Sequence, residues 1–351
     1  MPLFKIIIFG FAFCCWFVFI DASPRFNGSE SSDRKDVVKS FSDKVEKTRI
    51  FYGEDAKTGE FPFVVAIIKD PPLGEGEQEC SGVLISELHI LTACHCLVRP
   101  RKGSIEIDVR PRVVRAYAVI TQAGTVELNN YTLKLKRRAF ALRIHPKCRR
   151  TFTRIVYDFG MIILGVPYHK VTGYIEHLQF PNYRRRDLVN EMTEEKVKCV
   201  VVGWGYDQTL ESPNILKKIE LQLMPAQWCA DNIYEMTKHE VYGPDEFVPD
   251  CQVCAIGTGT NQTICAGDSG GPLLCGRGDG PKVLVGLVSY GPGSNSCGKD
   301  RSPAGFARVD VIQRWIRSFR RRIFSRSSRL HRPMCTATFL AALFVIKLTS
   351  P

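Results

Sequence analysis

Three short segments carry side chains that could do chemistry together. Leu91-Thr92-Ala93-Cys94-His95-Cys96 closes one apolar run, and Asp158-Phe159-Gly160-Met161-Ile162-Ile163-Leu164 opens another. Gly267-Asp268-Ser269-Gly270-Gly271-Pro272-Leu273 sets a serine among glycines. A serine hydroxyl attacks a carbonyl at neutral pH only when a base takes its proton. An imidazole serves as that base when a carboxylate fixes its tautomer and stabilises its developing charge. Glycines beside the serine let backbone N–H groups approach a developing oxyanion. His95, Asp158 and Ser269 are therefore candidates for base, orienting acid and nucleophile in acyl transfer. Singly, each reads as well as a packed histidine, a capping aspartate or a plain loop; joint occurrence carries the weight. Cys94 is a rival nucleophile, set aside because only Ser269 has the complete glycine-rich setting.

Groups so far apart in sequence need a scaffold to bring them together. From Arg49 onward the chain shows short β-branched runs at 63–68, 82–85, 116–121, 200–202 and 283–288, bounded by Gly, Pro or charge clusters. Ile219, Leu221 and Leu223 alternate with Lys218, Glu220 and Gln222, the period of a half-buried strand. Many short strands without alternating helices point to an all-β fold, an antiparallel barrel or sandwich. A helical period is expected only near the end, where Ile312, Trp315, Ile316 and Phe319 share one face.

The segments resemble the chymotrypsin/trypsin-like serine protease family. Thr92-Ala93-Cys94-His95-Cys96 is similar to the family's Thr-Ala-Ala-His-Cys, and Asp158-Phe159-Gly160-Met161-Ile162 more loosely to Asp-Ile-Ala-Leu-Leu. Gly-Asp-Ser-Gly-Gly-Pro is intact at 267–272, and the order His, Asp, Ser is the family's. The resemblance runs from about Arg49 to Phe319. It implies two six-stranded antiparallel β-barrels with the active site between them and a C-terminal α-helix. It also implies oxyanion donors at the N–H groups of Gly267 and Ser269. Ser289-Tyr290-Gly291 resembles the family's Ser-Trp-Gly, the strand that pairs with the substrate backbone.

By the same resemblance the specificity pocket has Thr263 at its base and Ile264, Gly291 and Ala304 in its walls. Without an acid at 263, uncharged apolar residues of medium size are expected before the scissile bond. Arg49-Ile50-Phe51-Tyr52-Gly53 resembles the family's activation site. Cleavage after Arg49 by a trypsin-like protease would free the Ile50 amine to pair with Asp268. The family's bridges would be Cys80–Cys96, Cys199–Cys275, Cys229–Cys254 and Cys265–Cys297. Cys94, Cys148, Cys251 and Cys335 are extra, and a Cys94–Cys148 bridge bracing the site is expected. Protein or peptide substrates are implied, with no cofactor and no metal. A catalytically idle family member acting as a binding or cascade protein is the alternative.

Compartment and charge agree with this outline. A basic start, an apolar run at 6–20 and small residues at 21–23 read as an export signal over residues 1–22. A polar propeptide would follow over 23–49, then a protease domain over 50–319. Fourteen cysteines, twelve of them beyond the signal, suit an oxidising, extracellular route. Sequons at Asn27, Asn130 and Asn261 fit a glycoprotein. The net charge of +12 is concentrated: eight arginines between Arg314 and Arg332, with no acid among them, leave only +4 elsewhere. That distribution suits a polyanion or membrane surface better than nucleic acid. Residues 320–351 form a basic linker and a short apolar tail. Its run at 337–346 is too short to span a bilayer and only faintly resembles a lipid-anchor signal. A plain extension of a secreted chain is the preferred reading there.

Overall fold

The computed structural model describes residues 53–69, 77–99, 112–129, 135–151, 155–179, 187–206, 213–239, 244–278, 280–291, 297–299 and 301–319. The expected export signal over 1–22, the expected cleavage site at Arg49–Ile50, Asn27, Asn130, Cys335 and residues 320–351 lie outside these residues.

Twelve strands form two closed antiparallel barrels. The first comprises β1 (Val64–Lys69), β2 (Glu77–Ser86), β3 (His89–Thr92), β4 (Val119–Ala123), β5 (Leu135–Ile144) and β6 (Gly160–Leu164). They close in the order β6-β3-β2-β1-β4-β5. The second comprises β7 (Lys198–Gly203), β8 (Lys217–Met224), β9 (Gln252–Gly257), β10 (Pro272–Cys275), β11 (Val283–Tyr290) and β12 (Ala304–Arg308). Pairing of β8 with β9 closes this ring, and Glu54–Asp55 adds a short edge to β8. A full ring leaves no open sheet edge to be satisfied.

Each barrel is filled by its inward side chains. Val65, Ile67, Leu84, Ile90, Ile162 and Leu164 pack in the first; Val201, Ile219, Leu221, Leu273, Val285 and Phe306 pack in the second. In β8 Ile219, Leu221 and Leu223 are buried, with Glu220 exposed and Gln222 only partly buried between them, as the alternation requires. A third cluster, including Leu91, Phe159, Met161, Leu287 and Ile316, joins strands of both barrels to the terminal helix. That helix, α3, covers residues 313–319.

The expectation of a strand over 116–121 is half corrected. Ala116–Ala118 forms a 3-10 turn, and the strand begins at Val119. Tyr117 within that turn is exposed, so no inward face holds the residues extended. Two helices also appear where none was expected: α1 (Leu188–Glu194) and α2 (Ala226–Thr237). The buried stripe of α2 is Cys229, Ile233 and Thr237, which presents little apolar periodicity in sequence.

Five disulfides are formed among the described residues, including Cys199–Cys275, which links directly paired positions of β7 and β10 across 76 residues of chain. Opening so long a loop releases much chain entropy in the unfolded state. Replacing both with alanine is expected to lower unfolding free energy by about 2–5 kcal/mol. Denaturant titration of oxidised protein will check this.

Candidate functional site

Barrel register explains why His95 and Asp158 meet. Thr92 ends β3 directly opposite Gly160, the start of β6. His95 lies three residues beyond the first and Asp158 two before the second, so both chains leave the barrel at one rim. Gly160 departs from the alanine of the resembled motif, and the structure gives the reason. A Cβ there would lie 2.9 Å from the Ala93 carbonyl oxygen and 2.7 Å from Leu97 Cδ1.

Asp158 is buried to 2% side-chain exposure, whereas His95 keeps 19%. His95 Nδ1 lies 2.7 Å from Asp158 Oδ2, and the His95 main-chain N–H donates to Oδ1 at 3.0 Å. Ser289 Oγ donates to Oδ2 at 2.7 Å. Burial alone would raise this carboxyl's pKa. His95, Ser289 and the main-chain N–H overcome that and hold it below the ordinary carboxylate value. A carboxylate kept ionised in this place fixes the imidazole with Nδ1 protonated and Nε2 free to accept a proton.

Ser289 reaches Asp158 through a bulge. Val288 pairs with Phe306 and Tyr290 with Gly305, which leaves Ser289 as the extra residue on β11. A bulge re-aims a side chain that regular alternation would send elsewhere. Sequence reading placed Ser289 on the substrate strand but not in this bond to Asp158.

Ser269 is half-buried and fastened to the His95 side of the rim. Its carbonyl accepts from the Ser81 N–H at 2.8 Å, while the Thr92 hydroxyl donates to the Ser81 carbonyl at 2.7 Å. Cys96 Sγ lies 3.7 Å from the same Ser269 oxygen. Gly270 has φ +79°, and a Cβ on it would come within 2.4 Å of the Ser81 carbonyl oxygen. Glycine is therefore required for the serine loop to lie this close to β2 and β3. Gly267 is also left-handed, at φ +98°. Its carbonyl accepts from Gln78 Nε2 at 3.0 Å, a contact with no signal in the sequence.

Asp268, next to the serine, is buried and accepts from the Gly205 N–H at 2.8 Å and the Cys265 N–H at 2.9 Å. Those two bonds do not offset its desolvation, and burial pushes its pKa up to about 6. Gly203 and Gly205 leave its space, since a Cβ on either would sit within 2.5 Å of the carboxylate oxygens.

Three of the residues expected around the specificity pocket, Thr263, Ile264 and Ala304, are buried. Thr263 is buried and accepts from the Gly298 N–H at 2.8 Å through its hydroxyl. Ile264 is buried below Gly291, whose missing Cβ would fall 3.0 Å from Ile264 Cγ1. Ala304 opens β12 and is buried.

Cysteines flank the imidazole on both sides. Cys94 bonds to Cys148 and Cys96 to Cys80; Cys229–Cys254 and Cys265–Cys297 complete the five. With its sulfur in a bridge, Cys94 has no thiolate to offer as a nucleophile. Cys251 is buried beside β9. Past Cys148, His145 stacks on Tyr157 at 5.1 Å with an interplanar angle of 9°, and meets Trp315 of α3 edge-on at 5.3 Å. Burial, with Lys147 nearby, lowers the His145 pKa to about 4, so this ring is neutral at physiological pH. Tyr157, immediately before Asp158, has φ +48°, a strained conformation for a bulky residue that the stack braces.

Comparison with known proteins bears on residues 50–316. Residues 50–316 match the family described as Trypsin. The chain is 26% identical to phenoloxidase-activating factor 3 of Holotrichia diomphalia over 77% of this chain and 72% of that protein. It is 28% identical to spermosin of Halocynthia roretzi over 78% of this chain and 63% of that protein. With kallikrein-12 of Homo sapiens it shares 29% identity, over 78% and 91% respectively.

Asp268 supplies a pH test on the uncleaved chain. A folded-state pKa near 6, above the ordinary carboxyl value, means that the folded state holds this proton more tightly than the unfolded one. Stability from this group therefore falls as pH rises from about 4 to about 6, by at most about 1.4 kcal/mol per pH unit. Asp268→Asn is expected to remove that fall. Parallel denaturant titrations of the two proteins across this range are the measurement.

Proposed function

The chain belongs to the trypsin family of serine proteases, and from that premise we propose that it is a secreted endopeptidase made as a zymogen. Proteases of this family act on protein substrates and are activated by other proteases. Here Ser269 is the nucleophile, His95 the general base and Asp158 the group that orients the imidazole. The observation that carries this reading is the 2.7 Å hydrogen bond between His95 Nδ1 and a fully buried, ionised Asp158.

In this mechanism His95 Nε2 takes the Ser269 proton as the hydroxyl attacks the scissile carbonyl. The N–H groups of Gly267 and Ser269 receive the oxyanion. The imidazolium then protonates the leaving amine, and water repeats the cycle on the acyl-enzyme. Ser289, Tyr290 and Gly291 line the substrate strand.

Activation follows from the electrostatics of Asp268. Cleavage after Arg49 creates an ammonium on Ile50, and a cation beside the buried carboxylate removes the penalty that raises its pKa. The Asp268–Ser269 segment then gains its working conformation. With Thr263 at its base and Ile264, Gly291 and Ala304 around it, the specificity pocket suits Leu or Met, with no acid to select Arg or Lys. The arginine-rich tail suits retention on a polyanion or membrane surface.

Two experiments test this. Purified protein cleaved after Arg49 and treated with a fluorophosphonate probe is expected to be labelled, while uncleaved protein and Ser269→Ala are not; labelling of Ser269→Ala rejects the assignment. In a panel of peptides varying only before the scissile bond, Leu or Met should give the highest kcat/KM. Fastest cleavage after Arg or Lys rejects the pocket assignment.

A further inference from the structure

Gln252 opens β9 and is buried to 3% exposure. Its amide joins three separate parts of the site's surroundings. Nε2 donates to the Ile155 carbonyl at 2.5 Å, and Ile155 lies three residues before Asp158. Oε1 accepts from the Val248 N–H at 2.7 Å and from the Tyr290 hydroxyl at 3.3 Å. Tyr290 directly follows Ser289, whose hydroxyl is bonded to Asp158.

The direction of these bonds is forced. The Val248 group in contact is its N–H, which can only donate, and the Ile155 carbonyl can only accept. Flipping the amide would set its NH2 group against the Val248 N–H and its oxygen against the Ile155 carbonyl. The Tyr290 hydroxyl stays protonated, because burial first and then Asp245 and Cys251 push its pKa up. It remains a donor throughout the working pH range. Space for the phenol comes from Gly305, where a Cβ would meet the Tyr290 ring at 2.2–2.6 Å. Tyr290, Gly305 and Gln252 thus form one fitted set.

We propose that Gln252 is a positioning residue for Asp158: one amide holds both the segment that leads into the carboxylate and the strand that carries its second donor. This rests on the peptidase reading above. Asp158 is approached from one side by 155–157, where Tyr157 is strained, and from the other by the Ser289 bulge. Ile155–Val156 pairs only with the two-residue strand Arg149–Arg150, and Ser289 is the unpaired residue of its bulge, so an anchor common to both adds order where the ladders are short or interrupted. Gln252 supplies the same anchor to both, and so sets the distance from Asp158 to the imidazole.

The test compares wild type, Gln252→Met, Gln252→Glu and Tyr290→Phe, all cleaved after Arg49. The measurements are kcat, KM, their pH profiles and thermal unfolding. Gln252→Met is expected to lower kcat roughly ten- to a hundredfold, with KM within about twofold, because small misplacements near the reacting groups are costly. The acid limb of its kcat/KM profile should move to lower pH, since a displaced Asp158 stabilises the imidazolium less. Gln252→Glu discriminates further. As a carboxylate it repels the Ile155 carbonyl, but once protonated it donates there as the amide does. Its activity relative to wild type should therefore rise as pH falls, which a merely structural role would not produce. Tyr290→Phe removes one hydroxyl, leaves the other two amide bonds, and should shift the acid limb in the same direction by less. It keeps the test decisive if Gln252→Met fails to fold.

Wild-type kcat in Gln252→Met with an unmoved acid limb overturns the inference, as does a Gln252→Glu/wild-type ratio that is flat with pH. If Gln252→Met does not fold, an unmoved acid limb in Tyr290→Phe overturns it. An unlabelled wild type rejects the peptidase reading and this inference with it. A labelled wild type beside unaffected variants rejects this inference alone.

Discussion

Two carboxylates are removed from water within the same rim, and the structure compensates them in opposite ways. An ionised group in a low-dielectric interior is tolerable only when paired and hydrogen-bonded. Asp158 has an imidazole, a serine hydroxyl and a main-chain N–H around it and stays charged. Asp268 has two main-chain N–H groups and is driven toward protonation. The first is a completed electrostatic arrangement and the second an incomplete one.

The two barrels exist, from this viewpoint, to deliver compensation. Asp158 hangs from the first barrel, and its second donor, Ser289, comes from the second. Ser81 of β2 holds the Ser269 loop by its N–H and Thr92 by its carbonyl. His95 and Asp158 adjoin strands of the first barrel, whereas Ser269 and Ser289 come with strands of the second. The shared cluster around Leu91, Phe159, Met161 and Leu287 gives the apolar contact that keeps these polar bonds in register.

Much of this was legible in the sequence because it depends on residue type at short spacing. Gly267-Asp268-Ser269-Gly270-Gly271 announces a backbone that only glycine can follow, and Gly270 and Gly267 are indeed left-handed. Ile219, Leu221 and Leu223 face inward as their alternation predicts. What was not legible depends on contacts across the fold. No local pattern marks Gln252 as a partner of Ile155, 97 residues away, nor Gln78 as a partner of Gly267. The bulge at Ser289 arises from pairing with β12 and leaves no trace in composition. Helix α2 was hidden because its buried stripe includes a threonine and a cysteine, and the 116–118 turn because its β-favouring residues are not held by an inward face.

The residues on either side of His95 are both cross-linked, Cys94 to one loop and Cys96 to β2. The main chain at the imidazole is therefore clamped by covalent bonds immediately before and after it. The 267–271 segment is also bracketed by bridged cysteines, Cys265 and Cys275, but at a wider spacing, so the imidazole has the shorter covalent leash of the two.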